Sequence, residues 1–196
     1  VAVMARIQTS ILSPDGTEIA ETETSCELAP NDPSEVRQEL QIKNPALWSP
    51  EIPQLSRAIT RVVVNDKVVD EVATTFGVRL LAWSAAQGLT INGKTYKLSG
   101  GCIHHDNGVL GACAFDRAEE RKIELLKAAG FNAIRTAHNP PSPALLDACD
   151  RLGMLVLDEA FDCWAKGKHS KDYSLYFKDW WQRDLDAMVL RDRNHP

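Results

Sequence analysis

The feature that most constrains the fold is a change of periodicity near residue 80. Before it, VAVMARIQTSIL, TEIAETETS, EVRQELQIK, SRAITRVVV and KVVDEVATTF are short, rich in Val, Ile and Thr, and roughly alternating. The turn-forming stretches SPDG, PNDPS, SPEIP and VNDK lie between them. Alternation with period two sends successive side chains to opposite faces of a strand. Several short strands at this spacing predict a β-sandwich of the immunoglobulin-like kind over residues 1–79. No catalytic grouping stands out there, and its charges read as a solvated face.

Beyond FGVR (Phe76 to Arg79) the pattern becomes mixed. GLTINGKTYKL has the Asn92-Gly93 pair between two apolar arms, the strongest short-range hairpin signal. AFDRAEERKIELLKAAGF then reads as a helix, with Asp116 as N-cap, Glu119 completing a capping box and Gly130 as the stop. Its Ile123 and Leu126 fall on one face, the side that covers a sheet. FNAIRT is a short strand, SPALLDACDRLG a second helix, MLVLDEA a nearly continuous apolar strand, and YFKDWWQRDLDAMVLRDR a long amphipathic helix. Strand and helix in strict alternation mean parallel βα units. The second domain, residues 80–196, is therefore α/β, and the chain as a whole is multidomain, β followed by α/β.

Three apolar runs in this half end in titratable clusters: His104, His105 and Asp106; Arg135 and His138; Asp158 and Glu159. In a βα-barrel the loops after the strand ends build the active site, so this recurrence is the main functional clue. The glycine-rich phosphate loop of a dinucleotide fold is absent, since GGCIHHDNG is not G-x-G-x-x-G. A net charge of −5 spread along the chain offers no basic stripe for nucleic acid or an anionic membrane. No apolar stretch approaches the ~20 residues of a membrane-spanning helix. The five cysteines lack zinc-type spacing and are odd in number, which argues against a disulfide framework. VAVMARIQTS has neither a signal-peptide core nor an initiator Met, and reads as a cut or processed start.

Laid out in order, FGVR, the hairpin, GGCIHHDNG, NAIRTAHNPPSP, CDRLGMLVLDEA and RDRNHP resemble glycoside hydrolase family 2, which holds β-galactosidases, β-glucuronidases and β-mannosidases. The resemblance implies an immunoglobulin-like domain followed by the N-terminal part of a (β/α)8 TIM barrel. It also implies a retaining exo-glycosidase of β-galactosidase type, in which one glutamate protonates the leaving oxygen and another attacks the anomeric carbon. In the family both glutamates come after the Asn-His-Pro that is here Asn194-His195-Pro196, so residues 1–196 alone are expected to be inactive. An incomplete barrel exposes a strand edge and a helix face, which predicts dimerisation or poor solubility, hence a homo-oligomer.

By the same resemblance His105 and Asp106 match the His-Glu of the family's Arg-His-Glu, with His104 in the arginine place. His105 would touch sugar hydroxyls; Asp106 reads equally as a sugar contact or as part of a hydrogen-bonded structural pair. His138 and Asn139 match the family's Ser-His-Tyr-Pro, and His138 would donate to the substrate while its other nitrogen is held by an acceptor. Arg135 would point into the barrel and pair with a carboxylate. Asp158 and Glu159 are adjacent on a strand, diverge, and therefore suit support rather than the catalytic pair. Trp164 could stack on a sugar face, Trp180 and Trp181 read as core, His169 as surface, and Asp162 carries no assignment. The family's magnesium-ligand positions fall at about Cys163 and Ala165, so neither a metal nor any other cofactor is expected. Two rival readings remain open at this level: a metal-dependent hydrolase on the same barrel, and a non-catalytic carbohydrate-binding piece.

Overall fold

The computed structural model describes residues 2–196. The chain divides into two compact units, one holding the residues up to Trp48 with Gln54–Val78, the other Ser49–Pro53 with Arg79–Pro196.

The first unit is built on a four-stranded antiparallel sheet. Its strands are β1 (Val3–Leu12), β2 (Glu18–Leu28), β3 (Ser56–Val64) and β4 (Lys67–Phe76), in the order β2-β1-β3-β4. Asn65 and Asp66 take positive φ in the turn from β3 to β4, a conformation their short polar side chains tolerate. Ala5, Ile11, Ile59, Val63 and Trp48 are buried. EVRQELQIK, expected as a strand, joins no ladder. It keeps the period-two burial of one, with Val36, Gln38, Leu40 and Ile42 half-covered between exposed neighbours. Its hold on the sheet comes through a side chain instead. Gln38 Nε2 donates to the Ile7 carbonyl at 2.9 Å and to Thr24 Oγ1 at 3.2 Å, and Gln38 Oε1 accepts from Thr9 Oγ1 at 2.7 Å.

The second unit opens with a meander of β5 (Leu81–Ser84), β6 (Gly88–Ile91) and β7 (Lys94–Thr95), its tight turn made by Asn92 and Gly93 at φ 52° and 79°. Three parallel βα units follow: β8 (Gly100–Ile103) with α1 (Asp116–Ala128), β9 (Ala133–Thr136) with α2 (Pro143–Leu152), and β10 (Leu155–Leu157) with α3 (Ser174–Asp192). The sheet order is β10-β9-β8, both pairings parallel. Gly100 lets β8 close on β9, because a Cβ there would stand 2.0 Å from the Ala133 carbonyl oxygen. The core beneath the helices gathers Ile123 of α1, Leu145, Leu146, Ala148 and Cys149 of α2, Ile134 and Met154.

Helix ends follow the sequence at α2, where Ser142 Oγ accepts the Leu145 N–H at 3.3 Å and Gly153 closes the helix in the left-handed region. At α1 the expected capping box does not form. Phe115 is the N-cap, and no side chain caps the helix. Glu119 turns inward instead, 4% exposed, where Asn107 Nδ2 donates to it at 2.8 Å and Lys122 Nζ at 3.3 Å. A buried carboxylate must be bonded and countered, and these partners do both. Trp180 and Trp181, expected in the core, are 43% and 41% exposed, since no other described helix or strand packs against α3.

The segment Ser49–Pro53 is fastened to the second unit by polar contacts. Lys127 Nζ donates to the Pro50 carbonyl at 2.9 Å and to the Gly153 carbonyl at 2.7 Å. Glu51 takes hydrogen bonds from Tyr96 Oη and, at 2.9 Å, from Lys94 Nζ. The approach is close enough that a Cβ on Gly153 would stand 2.2 Å from the Pro50 oxygen.

Candidate active site

The carboxyl ends of β9 and β10 bring together one connected set of charged groups. Arg135 pairs with Leu157 across the two strands, so the residues that follow β10 are presented to its guanidinium. Arg135 Nε donates to Glu159 Oε1, and a second guanidinium nitrogen lies 3.2 Å from His138 Nδ1. Glu159 Oε2 is 3.5 Å from the same imidazole nitrogen. The backbone N–H of Glu159 donates to Thr136 Oγ1 at 3.1 Å, which fixes the loop after β10 to the end of β9. The paired guanidinium lowers the Glu159 pKa, so this carboxylate stays ionised.

This arrangement sets the imidazole's role. Arginine only donates, so a neutral imidazole bonded to it accepts at Nδ1 and carries its proton on Nε2. A holding acceptor was expected at the inner nitrogen; the structure puts the Arg135 donor there, with Glu159 behind it. Nε2 then points a donor toward the cleft, where Asp162 Oδ1 stands 3.8 Å away.

The cleft, of about 530 Å³, is lined on one side by Arg135, His138, Asp158 and Glu159. An aromatic row forms the other side: Trp164 stacks on Phe177 at 6.0 Å, and Phe177 on Trp181 at 6.3 Å. Phe161 meets Phe177 of the row edge-on at 5.7 Å and stacks on Tyr173 at 4.7 Å. Trp164 is 67% exposed, the most open aromatic of that row.

Asp158 and Glu159, the first two residues beyond β10, turn to different partners. While Glu159 faces Arg135, Asp158 meets Thr136 Oγ1 at 3.4 Å and the carboxylate of Asp192. Burial, and then the neighbouring Asp192, push the Asp158 carboxyl up to about 6. A carboxyl raised in the folded state stabilises it fully below the ordinary value near 4, and that contribution is lost as pH rises through about 6. A shift of this size corresponds to at most about 3 kcal/mol, reduced to ~1–2 kcal/mol for a half-open group. Asp158→Asn keeps the neutral shape, so its stability relative to the unsubstituted protein should rise by that amount between pH 4 and pH 7. Urea melts of both proteins across that range test this; parallel curves would count against it.

His105, Asp106 and Asn139 lie apart from this cleft. His105 and Asn139 line a narrow crevice with Glu119 and Thr136, and Asp106 borders a hollow beside α1. His104 is the residue of the first cluster that reaches the set, its ring edge-on to His138 at 5.6 Å. Asp162 and Lys168, 2.6 Å apart at the cleft wall, had no assigned role in the sequence. The position of Cys163 offers no oxygen ligand: the thiol is buried, and its sulfur contacts Asp162 and Asp172. Among the described residues, Asp147, Asp150 and His195 form one cluster with metal-ligand character. Its His195 Nδ1 and Asp150 Oδ2 are already paired at 2.6 Å, a bond that ties the end of the chain to α2 and raises the imidazole's pKa.

The comparisons with known proteins match both units. Residues 85–196 match the glycosyl hydrolases family 2 TIM barrel domain, and residues 2–79 match a second glycosyl hydrolases family 2 model. The chain belongs to glycosyl hydrolase family 2. Its antiparallel unit is the family's immunoglobulin-like domain, and its parallel βα units are the start of the family's TIM barrel. A β-galactosidase, BoGH2A of Bacteroides ovatus, is 45% identical over 95% of this chain and 22% of its own length. The structure of a family 2 member from Bacteroides cellulosilyticus superposes with a TM-score of 0.92 at 53% identity, over all of this chain and 25% of that one. A β-glucuronidase of Bacteroides uniformis gives 0.87 at 28% identity, over all of this chain and 23% of that one. The chain thus spans about a quarter of the length of these family 2 relatives.

Proposed function

We propose that the whole protein is a retaining glycoside hydrolase that removes terminal β-linked sugars, with β-galactosides as its substrates. One observation carries the reading: the Arg135–Glu159–His138 chain at the strand ends presents the imidazole to a cleft with an exposed tryptophan. Sugar rings present apolar faces that stack on indoles and hydroxyls that need fixed donors and acceptors. Trp164 is the stacking platform, His138 the hydroxyl donor, Arg135 and Glu159 the frame that fixes its tautomer, and Asp158 a support. His105, Asp106 and Asn139 are assigned to the surroundings of the cleft. The two glutamates of a retaining mechanism, carboxyls about 5 Å apart, are in this reading supplied by barrel segments outside residues 1–196. The β-galactoside preference rests on the 45% identity to a β-galactosidase.

The test is hydrolysis of nitrophenyl β-galactoside, β-glucuronide and β-mannoside by the full-length gene product, with residues 1–196 alongside. Turnover of the galactoside by the full chain and none by the shorter one is the expected result. A preference for the glucuronide would move the substrate and keep the reaction; inactivity on all three, with stoichiometric zinc by elemental analysis, would replace the reading by a metal-dependent hydrolase.

A further inference from the structure

We propose that Asp162 is a specificity residue of the cleft, its carboxylate accepting a hydrogen bond from one hydroxyl of the bound sugar, and that the loop of residues 165–172 holds it in place through Lys168. This rests on the glycosidase reading and names a contact that the reading leaves unassigned.

The carboxylates around the cleft differ in what they have left to give. Glu159 is taken by Arg135 and His138, and Asp158 by Thr136 and Asp192. Asp172 is saturated: its oxygens accept from Ser174 Oγ at 2.6 Å, Ser174 N at 3.0 Å, Lys168 N at 2.5 Å and His169 N at 2.6 Å. Asp162 has one strong partner, Lys168 Nζ at 2.6 Å, and a weak thiol contact from Cys163 at 3.5 Å. The ammonium keeps its carboxylate ionised.

The gap between Asp162 Oδ1 and His138 Nε2 is 3.8 Å, too long for a direct hydrogen bond. A hydroxyl set beside that gap accepts from Nε2–H and donates to the carboxylate at once. Such a site selects for the hydroxyl because its absence leaves two polar groups unpaired.

The loop that supplies Lys168 is rigid by construction. Asp172 gathers the N–H groups of Lys168 and His169 from one end and of Ser174 from the other, which draws the loop into a closed turn. Gly167 permits the closure, since a Cβ there would stand 2.5 Å from Ser174 Oγ and 3.0 Å from Asp172 Oδ1. Lys168 therefore emerges at a fixed point and its ammonium lands on Asp162. Asp172 and Gly167 are positioning residues in this scheme; Asp162 is the one that touches sugar.

The experiment uses the full-length enzyme on its best nitrophenyl glycoside and on the monodeoxy forms of that sugar. In the unsubstituted enzyme one deoxy form should lose about 10- to 100-fold in kcat/KM, the size of a charge-assisted hydrogen bond. In Asp162→Asn the penalty for that deoxy sugar should shrink at least about threefold, with the His138 bond to the hydroxyl left in place, while the other deoxy sugars keep theirs. Lys168→Met should shrink it partway, and Lys168→Arg should restore it. A loss of the same factor on every sugar in Asp162→Asn would mean a structural role and overturn the proposal. An unsubstituted enzyme that is active yet indifferent to every deoxy form would overturn it too, and would leave the glycosidase reading standing. Inactivity of the unsubstituted enzyme on all glycosides would remove both.

Discussion

On the glycosidase proposal, Arg135→Gln in the full-length protein should lower kcat/KM for its glycoside by about 10²- to 10³-fold, the range in which losing one preorganised donor or shifting a group by an ångström falls. The guanidinium does two things at once: it favours the ionised form of Glu159, and it bonds to His138 Nδ1. With glutamine there, the nearest group to Nδ1 is the Glu159 carboxylate at 3.5 Å. A carboxylate only accepts when ionised, so the imidazole must turn its proton to Nδ1 to meet it. Nε2 then faces the cleft as an acceptor, or the ring becomes a cation. In either case the donor assigned to the sugar in that proposal changes character. Arg135→Lys keeps the charge but not the fork that reaches both partners, and should fall between the two. Steady-state kinetics with a thermal melt as control measures this. A kcat/KM within threefold of the unsubstituted enzyme, in a protein that melts normally, would show that the chain from Arg135 to His138 has no part in turnover.

The largest stability effect is expected at Ile123. Its side chain is fully buried where α1 meets the core formed by Leu145, Leu146, Ile134 and Met154. Ile123→Ala removes three buried carbons and leaves a cavity that α2 and the sheet, both hydrogen-bonded in place, are poorly able to close. A cost of about 3–4 kcal/mol is expected, or roughly 10 °C in melting temperature for a protein of this size. Leu125, two positions on and 52% exposed, is the internal control. Leu125→Ala should stay within about 0.5 kcal/mol. Equal losses at the two positions would mean that α1 does not face the core as described.

The order of elements in the βα half could be read from the sequence because each is marked by local chemistry. Asn92-Gly93 can make one kind of turn easily, Ser142 and Gly153 bracket α2, and MLVLDEA opens with the continuous apolar run of a parallel strand. What escaped depended on partners distant in sequence. Glu119 sits where a capping box would place it, but Asn107, twelve residues earlier, draws it into the interior. EVRQELQIK has the alternation of a strand, and nothing local reveals that Gln38 replaces a ladder by side-chain bonds to Ile7, Thr9 and Thr24.

The candidate site divides in the same way. The pairing of Arg135, which lies on β9, with a carboxylate follows from strand geometry, so it was legible; Asp158 and Glu159 do part to different partners, although both lie beyond the end of β10. His105 could not be told from His104, because both lie beyond the end of β8, where alternation no longer fixes direction. Asp162 and Lys168 meet only because Asp172 folds the intervening loop, and the spacing of charges in KGKHSKD does not announce that.

The clip formed by Lys127, Pro50 and Gly153 bears on how such a protein can be rearranged. The strip Ser49–Pro53 is flanked in sequence on both sides by the antiparallel unit, yet belongs by its contacts to the βα unit. The chain visits the second unit, returns, and only then enters it for good. No single crossover between two genes can therefore exchange one unit whole. A chimera spliced after Arg79 inherits its five-residue clip from one parent and the lysine and glycine that receive it from the other. Compatibility at those few backbone contacts, rather than similarity across the sheets, is what would decide which grafts fold.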